Sequence, residues 1–121
     1  MALMATEPAP LATAINVSEA GLVVDPARLH DVFYADSDQA TVDKIAPRLR
    51  AMPLGDTWMS TDPAWKSIPS TYVVCGKDRA ISPSVQRVMA ARADEMVEWD
   101  CDHSPFLTRP GDLAALLASY L

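Results

Sequence analysis

The sequence predicts an α/β domain built on a β-α-β-α unit with parallel strands. Three observations carry that prediction. The short run "TYVVC" (71–75) is β-branched or aromatic up to its closing cysteine, as in a strand covered on both faces. The stretch "SPSVQRVMAARAD" (82–94) opens with Ser82 at an N-cap and Pro83 at a first helical position. A second short strand, "EMVEWDC", and a final helix, "GDLAALLASYL", complete the alternation. Strands joined through a helix pair in parallel with a right-handed crossover.

Upstream, residues 1–20 have no period and read as loose or extended chain. "GLVVDPARLHDVFYADSD" holds a short apolar run, then an N-cap at Asp25, Pro26 at the first helical position, and a helix to about Ala35. Its apolar face is Leu29, Val32 and Phe33. A second helix is expected from about Asp38 to Leu49, with Pro47 ending or kinking it near Ala46. Residues 51–69 lack period, hold Trp58 and Trp65, and read as a long connection of the kind that forms lids or binding loops. In the helix after Ser82, Val85, Val88, Met89 and Arg92 mark faces at helical spacing. Asp112 sits near the N-terminus of the final helix, where the dipole favours it.

Bulk properties narrow the function. With 121 residues the chain has room for one small domain with a real core. Its 10 basic and 16 acidic residues give a net charge of −6, without the basic stripe a nucleic-acid partner needs. The apolar tail is too short to cross a bilayer. No Lys or Arg precedes Arg28, so the N-terminus lacks the positive region of a secretory signal. A cytoplasmic location with Cys75 and Cys101 as reduced thiols is the expectation.

The β-α-β-α reading places two chemistry-bearing residues together. Asp78 follows the first strand, in "CGKDRAI", and His103 follows the second, in "DCDHSPF". Residues just past the C-terminal ends of parallel strands share one rim of the sheet, where open α/β sheets bind ligands. A carboxylate there holds an imidazole in one tautomer and leaves its other nitrogen free to move a proton. Alone, each residue also reads as a turn residue, Asp78 satisfying backbone N–H groups and His103 capping a helix. Asp100, Asp102 and His103 are too cramped, and lack a further His or Cys cluster, for a metal site; none is expected. His30 lies on a helix with no partner nearby and reads as a surface or half-buried residue.

The segments "IPSTYVVCGKDRAISPSVQRVMA" and "WDCDHSPFLTRPGDLAALL" together resemble the C-terminal third of an α/β-hydrolase. The similarity is to the esterase branch related to plant methyl-ester esterases and hydroxynitrile lyases. The paired pattern D-x-x-I-x-P and D-H-S-P-F carries it over residues 68–121. Residues 1–67 resemble, more loosely, the helical cap with an irregular N-terminus inserted before the last strands. The fold class is thus the C-terminal part of an α/β-hydrolase sheet preceded by a helical cap segment.

The family's chain order Ser, Asp, His makes Asp78 the match for the triad acid and His103 for the base. The resemblance also makes Trp58 and Phe106 candidate substrate-binding residues. Trp58, Trp65, Met52 and Met59 fit an acyl pocket beneath the cap equally with plain packing between cap and sheet. The lyase branch tends to carry Lys after its histidine; Ser104 stands here, which favours ester hydrolysis. The glycines, at 21, 55, 76 and 111, bracket no serine in a Gly-x-Ser-x-Gly elbow. The chain is therefore expected to be a fragment with two members of a triad, inactive alone and needing no cofactor. Completed by a missing N-terminal half, it would act on a small ester. The alternative is a non-catalytic truncated product that associates with itself or with a complementing chain; a third reading, less favoured, has the first 25 residues form extra strands of a self-contained small α/β fold unrelated to hydrolases.

Overall fold

The computed structural model describes residues 10–54 and 62–121. Trp58 and Met59 lie outside the described residues.

The first element departs from expectation. After a 3-10 turn at Pro10–Thr13, strands β1 (Ile15–Ser18) and β2 (Gly21–Val24) form an antiparallel hairpin, with Ser18 opposite Gly21 and Ile15 opposite Val24. Most of β1 is exposed, so selection for a buried face did not impress a period on it. Its register is held by backbone instead. Leu22 and Met52 exchange both backbone hydrogen bonds at 2.8 Å. Gly21 has φ +121°, and a Cβ there would run into the Met52 carbonyl, so only glycine lets the two segments meet.

Asp25 caps the next segment as its sequence implies, accepting from Ala27 N at 2.9 Å. Only Pro26–Arg28 (3-10) and the short helix α1 (Leu29–Phe33) follow, ending at Phe33. The expected face is right: Leu29 and Val32 are buried and Phe33 packs against two core clusters. Asp38 caps α2 (Gln39–Ile45) through Thr41 N at 2.7 Å. A 3-10 turn at Ala46–Arg48 contains Pro47 and breaks the helix where proline removes a donor.

Strands β3 (Thr71–Cys75) and β4 (Glu95–Trp99) pair in parallel, Thr71 opposite Glu95 and Cys75 opposite Trp99, with α3 (Pro83–Ala90) between them. Two expectations about this unit need correction. Only Val74 and Cys75 of β3 are buried, and β4 is largely exposed, so the strands are not covered on both faces. The buried positions of α3 are Gln86 and Ala90, not Val88, which is exposed. Ser82 stands at the N-cap position without capping; its hydroxyl meets that of Ser84 at 3.1 Å. The C-terminal segment is two helices, α4 (Pro105–Thr108) and α5 (Pro110–Ala118). Pro110 pushes Arg109 out of helical geometry, to φ −131° and ψ 48°, and breaks the segment there.

The core sits around α1. One cluster joins Ala14, Val32 and Ala80; the other joins Leu29, Tyr34 and Val42, with Leu107 of α4 packed against it. Phe33 touches both.

Candidate functional site

Backbone pairing continues past the named strands. Gly76 N donates to Trp99 O at 2.8 Å and Lys77 N to Cys101 O at 2.9 Å. A Cβ on Gly76 would lie 3.2 Å from Trp99 O, so the lack of a side chain permits this close approach. The two chains thus run side by side beyond the sheet, and Asp78 and His103 emerge from them at one rim.

Asp78 is buried, 7% exposed. Its Oδ1 accepts from Ala80 N at 2.7 Å and Ile81 N at 2.9 Å. Its Oδ2 accepts from Gln86 Nε2 at 2.8 Å and lies 2.8 Å from His103 Nδ1. The turn-capping and imidazole-holding readings of Asp78 are therefore both realised, one on each oxygen. The His103 ring stands edge-on to Phe33, 5.2 Å between centroids and 80° between planes. With Nδ1 donating to a carboxylate, Nε2 of the neutral ring carries the lone pair, the arrangement of a proton acceptor. No protein partner of Nε2 is found among the described residues.

The loop bearing His103 is tied to the segment after α1. Asp102, 1% exposed, accepts from Asp36 N through Oδ2 and from Ser104 N through Oδ1, both at 2.9 Å. Asp36 Oδ2 accepts from Asp102 N at 2.9 Å in return. Tyr34 lies close by, and burial first, with the Asp102 charge second, pushes its phenol above the ordinary range. Asp100 instead pairs with Lys77 at 2.9 Å. Among the described residues no group of three or more His, Cys, Asp or Glu side chains could hold a metal ion.

His103, Ser104 and Phe106 border a cavity of about 270 Å³ whose other walls include Val24, Leu29, Phe33 and Leu49. A second cavity of about 440 Å³ adjoins it through Val24, Phe33 and Leu49 and reaches Met52 beside the hairpin. The walls are mostly aliphatic and aromatic, suited to an apolar ligand. Trp65 is elsewhere. It borders a cavity with Ser70, Thr71 and Tyr72, at the end of β3 opposite Asp78, so it lines no pocket beside His103. His30, expected without a partner, hydrogen-bonds Ser37 O through Nε2 at 2.8 Å. Cys75 and Cys101 are buried free thiols, and burial pushes Cys75 up to about 12.

Sequence reasoning missed Gln86, Phe33 as the partner of the imidazole, and the Asp36–Asp102 clasp. Gln86 left one signal, an amide on the helical face that turns toward the sheet. The other contacts join residues far apart in the chain and left none.

Comparison with known proteins addresses the family of the chain. Over 94 residues, 73% of this chain, it is 32% identical to "Alpha/beta hydrolase nvfD" of Aspergillus novofumigatus (strain IBT 16806), covering 37% of that protein. Over 103 residues, 79% of this chain, it is 30% identical to "Methylesterase 18" of Arabidopsis thaliana, covering 39% of that protein. The chain thus spans well under half the length of these curated relatives. Among the described residues no helix is long and apolar enough to cross a membrane. The model of the alpha/beta hydrolase family matches residues 1–116, nearly the whole sequence, and the chain belongs to that family.

Proposed function

We propose that this chain contributes the acid and base of a serine-type carboxylic-ester hydrolase that acts on small esters. The observation that carries the reading is the 2.8 Å contact of His103 Nδ1 with Asp78 Oδ2 beside an apolar cavity. A serine hydroxyl supplied by polypeptide outside these residues attacks the ester carbonyl. His103 Nε2 takes its proton and returns it to the leaving alcohol, while Asp78 keeps the ring in register and balances the imidazolium charge. Phe106 flanks the substrate, with residues 1–67 as a cap-like segment over residues 68–121. The reaction as written draws on no metal or organic cofactor. Ser104 N is held by Asp102, and no Gly-x-Ser-x-Gly elbow occurs in the sequence.

The reading makes two demands. The 121-residue chain alone turns over p-nitrophenyl acetate below detection; robust turnover blocked by a serine-directed phosphonate contradicts the assignment. The coding sequence upstream of Met1 carries an in-frame Gly-x-Ser-x-Gly. In the protein so completed, His103→Ala lowers kcat/KM by about 10³-fold or more.

A second reading, a non-catalytic association module, draws on the sheet. β3 and β4 pair only with each other among the described residues, and Met96 of β4 is exposed. Parallel strands are ordinarily covered on both faces, and unpaired edges invite further strands. Size-exclusion chromatography separates the cases: a dispersed monomer at high concentration counts against this reading.

A further inference from the structure

The Asp78 carboxylate is held by more than its turn, and the extra partner is a buried amide. Gln86 is 3% exposed, on the face of α3 that turns to the end of β3. Its Oε1 accepts from Cys75 N at 2.9 Å. Its Nε2 donates to Asp78 Oδ2 at 2.8 Å and to Ile81 O at 2.7 Å. The orientation of the amide is dictated by these neighbours. A flipped group would set its carbonyl against a carboxylate oxygen and its N–H₂ against the Cys75 N–H.

We propose that Gln86 is a positioning residue, which sets the plane of the Asp78 carboxylate so that Oδ2 meets the His103 imidazole. The proposal rests on the ester-hydrolase reading of the Asp78–His103 pair. Ala80 N and Ile81 N secure Oδ1 alone, which leaves Oδ2 free to swing about that anchor. Gln86 supplies the second fixed point, on the same oxygen that His103 uses. The choice of an amide has its own logic. A lysine or arginine there would cancel the negative charge that stabilises an imidazolium, whereas a neutral donor orients the carboxylate and leaves that charge available. A residue serving only to pack α3 against β3 would be apolar, since a buried amide gains nothing unless every group is satisfied.

The test is NMR of the full 121-residue chain. In the parent protein His103 is expected as the Nδ1–H tautomer, with a far-downfield Nδ1 proton shared with Asp78. Gln86→Met keeps side-chain length and removes the donors; with the far-UV circular dichroism unchanged, that downfield proton is expected to be lost or moved well upfield. A folded Gln86→Met protein that keeps the resonance unshifted overturns the proposal. The parent protein gives a second measurement that needs no substitution. Through a pH titration, the Gln86 side-chain amide resonances are expected to shift with the same midpoint as the His103 ring, because both bond one oxygen. A Gln86 amide that stays flat while His103 titrates also overturns the proposal. A parent protein in which His103 is the Nε2–H tautomer defeats the ester-hydrolase reading itself, a result distinct from either failure of Gln86.

Discussion

Asp102→Ala tests whether the loop carrying His103 is held by the clasp or merely passes by it. The substitution removes two acceptors at once. Ser104 N, on a buried residue, then has no partner, and an unsatisfied buried donor costs about 1–3 kcal/mol. Asp36 is exposed, so water replaces most of the bond that Asp36 N loses, leaving a cost of about 0.5–1 kcal/mol. Removing a buried carboxylate also relieves some desolvation, which offsets part of the loss. The net expectation is a destabilisation of about 2–3 kcal/mol, a large share of the roughly 5–15 kcal/mol that holds a domain together. Asp36→Ala leaves Asp102 N, on an equally buried residue, without its acceptor and is expected to cost about 1–3 kcal/mol. Because the two side chains bond each other's backbone, the double variant should cost less than the sum of the single ones. Urea denaturation followed by circular dichroism reads all three, with an unchanged slope showing that the unfolded state is the same. An Asp102→Ala midpoint equal to that of the parent refutes the reasoning.

Two other outcomes follow from the same structure. Gly21→Ala forces a side chain into the Met52 carbonyl at a positive φ and is expected to cost about 2 kcal/mol or more, read as a lowered thermal midpoint. Burial holds the Cys75 thiol at about 12, above its unfolded value of 9.0, so folding favours the protonated form. Its contribution is complete below pH 9 and is lost as the pH rises from 9.0 towards 12, so Cys75→Ala should flatten the fall in stability over that range; an unchanged slope in urea midpoints from pH 8 to pH 11 counts against it.

The β-α-β-α unit was legible because each part of it is written locally. "TYVVC" and Pro83 declare a strand and a helix start without reference to anything distant, and the residues after each strand must then share a rim. Asp25 and Asp38 were equally readable as caps, since an N-cap bonds N–H groups two or three residues away. The hairpin was not readable, because β1 is mostly exposed and β2 is further supported by a bridge to Met52, thirty residues on from Leu22. The final helix was readable too, since "GDLAALLASYL" follows Pro110, which can start a helix but cannot continue one, and it forms α5; only the short helix α4 ahead of it was not foreseen. For Trp65 an acyl pocket and plain packing stayed open, because residue type says nothing about which end of a sheet a loop returns to.

By itself, then, the sequence determined the order of the C-terminal elements, the pairing of Asp78 with His103, and the family to which both belong. Short-range stereochemistry and the rule that parallel strands share a rim suffice for those. What holds the pair in place was decided only in three dimensions: Phe33 against the imidazole, Gln86 on the shared carboxylate oxygen, Asp36 and Asp102 exchanging backbone bonds. These partners come from separate segments, and a hydrogen bond of 2.9 Å between residues 66 positions apart leaves no trace in either local sequence. It exists only once packing around α1 has brought the segments together.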